Sequence, residues 1–392
     1  MVILPGPAPA VAAGPLPPKR KDPAAVTIVA QAHPFVVGVD THARTHALSI
    51  LATPHGEVVD DGEFPATSAG MARAIEWAGR RTGGDLEVLW VIECAATYGA
   101  QLARAVSAAG YQVVEAARMN AKANRGIGKS DPLDARRIAA AVLPVQVDRQ
   151  RHLRKDDGVR AGLRILMAAR DHMTSERTAT INALTALLRV LDLGIDARKP
   201  LTSKQIAEIA KWRTRTEDIQ AVMARAEAVR LAKRTLDLDD ELAANVKTTT
   251  ALLKDSPARV LLDKPGIGPV TAAVALTAWS HVGRLHSEAA FASLAGVSPI
   301  PASSGNTVRH RLNRGGDRRL NKALHMAVIV RMTHDAGTKA YVERRVAEGL
   351  TKREIRRVLK RYLARQIHRA LTAASRADDI AEDTIAGTPL SD

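Results

Sequence analysis

Two carboxylates stand at the ends of apolar runs, where a sheet would deliver them to its edge. Asp40 follows Val37-Gly38-Val39 and precedes Thr41-His42, and Glu93 follows Trp90-Val91-Ile92. An acid beside a dry sheet is costly unless it is paired or binds a cation, so two of them suggest one site. Each can also be an ordinary turn or cap residue. Asp131 and Asp134, in Lys129-Ser130-Asp131-Pro132-Leu133-Asp134-Ala135, are spaced to project from one helical turn. Helix capping competes for both: Asp131 suits an N-cap, Pro132 the first helical position and Asp134 the capping-box acid. Together the four acids could hold two divalent cations about 4 Å apart, the arrangement that stabilises attacking and leaving oxygens in phosphoryl transfer. All-oxygen ligands favour Mg²⁺ or Mn²⁺.

A second group of residues could grip phosphate. Arg309, His310, Arg311, Arg314, Arg318, Arg319 and Lys322 form a dense basic stretch, and arginine forks match phosphate oxygens. A solvated helix face is the plainer alternative. Helical spacing over 352–369 interleaves Ile355, Val358, Leu359, Leu363 and Ile367 with Arg353, Arg356, Arg357, Lys360 and Arg361, so one face can pack while the other contacts nucleic acid. Gly266 and Gly268, in Pro265-Gly266-Ile267-Gly268-Pro269, could aim backbone N–H groups at a phosphate or simply make a tight interhelical turn.

The elements that must position these residues follow from periodicity. Residues 1–32 are rich in Pro and Ala and have no sustained period, which predicts a disordered leader. Strands are predicted at Phe35–Val39, Ala47–Leu51, Glu57–Phe64, Val88–Ile92 and Tyr111–Glu115, with helices at Ser68–Arg81, Tyr98–Ala109 and from Pro132. The order βββαβαβα is that of a ribonuclease-H-like fold over 33–150. Over 151–255, Val159, Leu163, Leu166, Met173, Leu184, Leu187 and Leu191 recur at alternating threes and fours, broken at Arg170, Arg177 and Thr180. A second helix spans about Glu217 to Leu253. The pair reads as an antiparallel arm or dimerising coiled coil. A compact, mostly helical region follows over 256–375, and 376–392 is an acidic tail.

Composition narrows the function class. The 392 residues are 46% hydrophobic and 25% charged, which suits a globular protein of two or three domains. One cysteine, Cys94, excludes an intramolecular disulfide framework, and no Cys/His spacing matches a structural zinc site. No secretion signal or spanning segment is evident, the longest apolar run being Ile267–Trp279, so a cytoplasmic setting is expected. The net charge of +16 points to nucleic acid, because Lys and Arg neutralise phosphates.

With these motifs assembled, the sequence resembles the DEDD transposases of the insertion-sequence-110 family, relatives of the Piv invertase. The resemblance lies in Gly38-Val39-Asp40-Thr41-His42 with Thr45-His46, in Glu93 with Thr97-Tyr98-Gly99, and in Lys129-Ser130-Asp131 with Asp134-Ala135. It continues through Leu294-Ala295-Gly296-Val297-Ser298-Pro299, Ser303-Ser304-Gly305 and Arg314-Gly315-Gly316-Asp317, and covers Phe35 to about Leu371 in the family's order. It departs at Ala43, where many members have Lys, and in its longer Pro/Ala leader. The resemblance implies a RuvC-like metal-binding domain and a serine that attacks DNA phosphate. Ser304, directly before Gly305, is the first candidate and Ser303 the runner-up, with a plain Ser-Ser-Gly turn as the alternative. It further implies donor and target DNA as substrates, an element-encoded guide RNA, and dimers or tetramers assembled through the helical arm. Two rivals fit the residues alone: a metal-dependent Holliday-junction nuclease without a covalent intermediate, and a non-catalytic nucleic-acid-binding protein.

Overall fold

The computed structural model describes residues 27–116, 128, 130–155, 158–304, 307 and 309–386. The chain divides after Arg151 into two compact units. The first is a five-stranded sheet with helices. Strands β1 (Phe35–Thr41), β2 (Thr45–Ala52) and β3 (Glu57–Pro65) form an antiparallel meander. Strands β4 (Leu89–Ile92) and β5 (Gln112–Glu115) add in parallel on the other side of β1, giving the order β3-β2-β1-β4-β5. Parallel strands need crossover segments, and helices α2 (Ser68–Arg81) and α3 (Ala100–Ala108) lie in the two crossovers. The mixed sheet is consistent with the ribonuclease-H-like expectation, and β1 and β4 are its buried centre.

The predicted leader needs one correction. Residues 1–26 lie outside the described residues, but the fold begins before residue 33. A short helix, α1 (Val29–Ala32), buries Val29 and Ala30. It is anchored by the Val29 N–H donating to the Val145 carbonyl at 2.9 Å and the Val147 N–H to the Thr27 carbonyl at 3.1 Å. Thr27-Ile28-Val29 is too short to show a period, yet Val29 completes the core around Val36, Leu51, Leu89 and Ile138.

The helix α4 (Asp131–Val142) lies directly against β1 because Gly38 has no side chain. A Cβ there would sit 2.1 Å from the Ala135 carbonyl oxygen and 2.6 Å from the Ala139 nitrogen. Both obstacles are backbone, so α4 as a whole would have to move. Gly38→Val should therefore cost about 3 kcal/mol or more, the upper range for overpacking a core. A urea midpoint within error of wild type would refute this reading of the contact.

The second unit is helical. Helices α5 (Gly158–Val190) and α7 (Ile219–Lys254) run side by side, joined through α6 (Ser203–Ile209), which the sequence did not announce. Leu163 and Met167 near the start of α5 share a core with Leu253 at the end of α7, whereas Leu184 and Leu188 meet Ala228, Leu231 and Ala232, so the pair is antiparallel. Two of the three interruptions in the apolar seam are polar rungs between the two helices, while the Thr180 hydroxyl donates to the Glu176 carbonyl of its own helix. Arg170 donates to the Leu242 carbonyl at 3.2 Å, and Arg177 clamps Asp239 with two hydrogen bonds. Beyond them come α8 (Pro269–Trp279), α9 (Glu288–Leu294), a small hairpin of β6 (Ile300–Pro301) and β7 (His310–Arg311), and helices α10 (Arg318–His334), α11 (Ala336–Ala347) and α12 (Lys352–Ala386). The hairpin and α11 were not anticipated. Helix α12 continues well into the expected acidic tail, where Asp378 pairs with Arg259. Most of the apolar α8 is buried, with Trp279 and Phe291 among the largest buried side chains.

Candidate functional site

The first unit brings the four acids together, and strand register explains how. Val39 lies opposite Ile92 in the parallel β1–β4 pair, so the next residues, Asp40 and Glu93, leave the same edge side by side. The Glu93 N–H donates to the Val39 carbonyl at 3.0 Å, and the Thr41 hydroxyl donates to the Glu93 carbonyl at 3.0 Å. Strand side chains alternate faces, so Asp40 shares the face of Gly38 that α4 covers. From Gly38 to Asp40 the strand advances about 6.6 Å, and from Ala135 back to Asp131 the helix retreats about 6 Å. The glycine contact therefore sets the N-terminal turn of α4 beside Asp40.

The turn after Glu93 is strained. Cys94 has φ of +50°, a region costly for a non-glycine residue and often found at functional sites. Its carbonyl accepts hydrogen bonds from the Thr97 and Gly99 N–H groups at 2.8 and 3.2 Å and from the Thr97 hydroxyl at 3.2 Å. These bonds fix the backbone that presents Glu93.

The capping role weighed for Asp131 and Asp134 does not hold. Ser130 is the N-cap, without a side-chain cap bond, and Asp131 is the first helical residue with Pro132 behind it. Asp134 lies one position beyond the capping-box site and accepts from Arg137 at 2.7 Å. Both carboxylates thus point their chemistry elsewhere. Asp40 is only 7% exposed, and burial, followed by the charges of Asp131 and Asp134, pushes its carboxyl above the ordinary range against an opposing effect of His42. Glu93 is raised by burial and then by Asp40 and Asp134.

Sequence reasoning gave His42 no role. A carboxylate oxygen of Asp40, an imidazole nitrogen of His42 and a carboxylate oxygen of Asp131 all lie within 4.8 Å of one another, and His42 Nε2 is 3.6 Å from Asp40 Oδ2. Its signal was its position two residues after Asp40, just past the end of β1. Two desolvated carboxylates raised by their neighbours, with further oxygen donors and an imidazole at hand, fit a divalent cation.

The raised carboxyls carry a sign that can be tested. An acid whose pKa is higher folded than unfolded contributes stability below its unfolded value, and this is lost as pH rises through the folded value. The contribution of these two acids to the stability of the metal-free protein should therefore fall as pH climbs above about 4, the ordinary carboxylate value, read as the difference in thermal midpoint between wild type and Asp40→Asn. Mn²⁺ should restore stability, and more so at pH 8 than at pH 5, because protons compete for the same oxygens. Thermal midpoints with Mn²⁺ and with EDTA across this range check it; an equal Mn²⁺ effect at both pH values would contradict it.

The serines belong to the second unit. Ser304 sits near the tip of the β6–β7 hairpin, exchanging two backbone hydrogen bonds of 3.2 Å with Thr307, while Gly305 lies outside the described residues. Ser303 is occupied: its Oγ accepts from the Arg309 N–H at 3.3 Å. The Ser304 hydroxyl has no partner among the described residues. The hairpin's base is sewn between α9 and α10. Gly296, at φ +66°, ends α9 and touches Gly316, where a Cβ would come within 2.3 Å of the Gly296 nitrogen. The Asp317 N–H donates to the Leu294 carbonyl at 2.7 Å, and the Asp317 carboxylate caps α10 through the Leu320 N–H at 3.0 Å. The Leu294-Ala295-Gly296 and Gly315-Gly316-Asp317 motifs are thus the frame of the serine hairpin.

The basic stretch is divided by the fold. Arg314, Arg318 and Lys322 line one cleft and Arg311 the next, while Arg309 is exposed on the hairpin's return strand. Arg319 pairs with Asp171 of α5 at 2.5 Å, a structural use. Gly266, at φ +73°, is accounted for by packing, since a Cβ would meet the Ala327 carbonyl at 2.6 Å and Arg331 donates to the Pro265 carbonyl. Gly268 is the exposed N-cap of α8.

Two family models match the chain. The IS110-type DEDD transposase model covers residues 37–191, and the model of the transposase IS116/IS110/IS902 family covers residues 258–343. Among curated relatives, the uncharacterized 42 kDa protein of insertion element IS900 from Mycobacterium paratuberculosis is 29% identical over 328 residues, 70% of this chain and 79% of that protein. The uncharacterized 43.6 kDa protein of insertion element IS110 from Streptomyces coelicolor is 27% identical over 362 residues, 80% of this chain and 88% of its own length. The IS116 protein of Streptomyces clavuligerus is 26% identical over 374 residues, with the same shares covered.

Proposed function

Because the chain belongs to the IS110 family of transposases, we propose that it cuts and rejoins the DNA strands of its own insertion element with a carboxylate centre and a serine nucleophile. The observation that carries this reading is the convergence of Asp40, Glu93, Asp131 and Asp134, two of them desolvated, at one sheet edge. Asp40, Glu93 and Asp131 would hold a divalent cation, Mg²⁺ or Mn²⁺, with His42 and Asp134 beside them. When bound, the cation supplies positive charge to the phosphate oxygens under attack.

The remaining steps fall to side chains of the protein. The Ser304 oxygen forms a bond to phosphorus as one P–O bond of the strand breaks; the serine proton passes to a base and the departing strand end leaves as a hydroxyl. A hydroxyl of the second strand then attacks the phosphoserine, releasing the serine and rejoining DNA without outside energy. The Ser304 hydroxyl, without a partner among the described residues, and the engagement of Ser303 favour Ser304 as nucleophile. Arginines around the hairpin, Arg311, Arg314 and Arg318, bind and orient the phosphate backbone. From the resemblance of the motifs we further infer a RuvC-like metal-binding domain, a coiled-coil role for α5 and α7 in dimers or tetramers, and an element-encoded guide RNA that selects donor and target DNA on the nucleoid.

The direct test incubates purified protein with DNA carrying an element end, its RNA and Mg²⁺, followed by denaturing electrophoresis. Protein covalently attached to labelled DNA is expected. Cleavage with only free ends, and no attached protein under any quench time, would refute the serine route.

A further inference from the structure

The strongest unassigned feature is a groove of about 570 Å³ on the second unit, between the base of the serine hairpin and α12. Its cations are Arg311 from β7 and Arg357, Lys360 and Arg361 from α12. No carboxylate among the described residues lies within ion-pair distance of any of these four, although the charges of Glu354 and Arg357 interact. Glu354, at the rim, is turned to Thr351, accepting from its N–H and its hydroxyl at 2.9 and 2.6 Å. Arg365 is the exception among the lining cations, engaged by Glu288 at 2.8 Å.

Lys360 stands at the centre. It is half-buried and donates to Asn321 Oδ1 at 2.8 Å, while Asn321 donates to the Ala295 carbonyl at 2.7 Å. The ammonium is therefore held at the junction of α9, α10 and α12. Burial, then the charge of Arg357, lowers its pKa, and burial, then the charges of Lys360 and Arg356, lowers that of His325. With Glu354 alone reaching one of them, the like charges gathered here are destabilising unless a further anion is supplied. Lys360, Gly296 and Asn313 also line the adjoining cleft of Arg314, Arg318 and Lys322, so the two form one basic track. Tyr362, 51% exposed, offers a ring on the groove wall.

We propose that this track holds a single DNA strand, with backbone phosphates on Lys360, Arg357 and Arg361 and a base stacked on Tyr362, and that the strand is the one presented to Ser304. A groove this size suits a nucleotide-sized ligand, and a cationic track with an aromatic ring is the chemistry of sequence-tolerant single-strand binding. The hairpin links the two places: from Pro301 at its base to Ser304 is about 10 Å of extended chain, the rise of about three stacked nucleotides. The assignment of the strand rests on the function proposed above; the groove's affinity does not.

The test uses the full-length protein and fluorescence anisotropy with labelled oligothymidine, and a uridine RNA of equal length, over a range of salt. Arg357→Glu with Arg361→Glu should weaken DNA binding at least ~10-fold and flatten the salt slope by about 1.4, two phosphate contacts at about 0.7 each. Tyr362→Ala should weaken it about 5-fold or more with the slope unchanged, and Tyr362→Phe should restore it. Thermal midpoints near wild type show that the variants fold. An unchanged slope in the double variant, or losses confined to the RNA, overturns the proposal. If the variants bind DNA normally and still form the covalent adduct, the groove is wrong and the serine reading stands. If the wild type binds with its full slope and never forms the adduct, the serine reading is wrong and the groove stands.

Discussion

Ser304→Ala should abolish the covalent protein–DNA adduct and slow strand exchange by at least ~10³-fold, the scale on which losing a nucleophile is felt, while DNA affinity should stay within a few-fold of wild type. The hydroxyl makes no contact among the described residues that holds the hairpin together; its backbone, bonded to Thr307, does that. Removing one exposed oxygen should thus leave folding intact. Ser303→Ala gives the complementary result. Its Oγ ties the two hairpin arms together at the Arg309 N–H, so its loss should loosen the tip and reduce exchange less than ~10-fold, in line with one exposed hydrogen bond. A Ser304→Ala protein that still cuts DNA at the wild-type rate would sink the covalent mechanism and favour a hydrolytic junction nuclease using the four acids. Equal, complete loss in both variants would leave the choice of nucleophile wrong.

Asp40→Asn should reduce cleavage by at least ~10³-fold, comparable to losing a main electrostatic contributor in a catalytic site, and at the same time stabilise the metal-free protein at pH 8. The two effects share one cause. Asp40 is the most enclosed of the four acids, and its charge is opposed by burial and by Asp131 and Asp134. The amide keeps the shape and removes the charge, so the strain and the cation affinity disappear together. Glu93 should respond by titrating closer to its ordinary value, because Asp40 is the chief charge raising it. Cleavage and thermal midpoints with EDTA and with Mn²⁺ measure both. Unimpaired cleavage would refute a catalytic role for the cluster, and a lower metal-free midpoint would show that Asp40 serves the fold. Asp134→Asn should be milder for stability, since Arg137 already balances its charge.

Much of the first unit was legible because its signals are local. Apolar runs ending in acids fixed β1 and β4, and their alternation with helical periods fixed the order of elements; helix α2 falls on the expected residues. The four acids could be named from strand ends and from the spacing of Asp131 and Asp134. Elements with weaker local signatures were missed. Val29 has no periodic neighbours to mark it, and α6 lies in a turn-rich stretch, although Thr202 and Gln205 form a capping box there. The β6–β7 hairpin has only two residues per strand, too few for alternation to show.

By itself, the sequence determined the kinds of groups available, their order, the basic charge and the elements that carry them, because helix and strand formation depend on neighbours a few residues away. Tertiary structure alone decided which groups meet. The missing side chain of Gly38 brings α4 against β1 and so sets Asp131 beside Asp40, a contact spanning nearly a hundred residues of chain. Capping was freed from Asp131 only when the helix start fell on it, with Ser130 as the N-cap. His42 became a donor only when its imidazole came within reach of both carboxylates. The basic residues, one run in the sequence, were sorted into Arg319 spent on Asp171 and others left facing a groove with α12. The reason is physical: burial, charge coupling and close approach depend on distance in space, which local spacing does not encode.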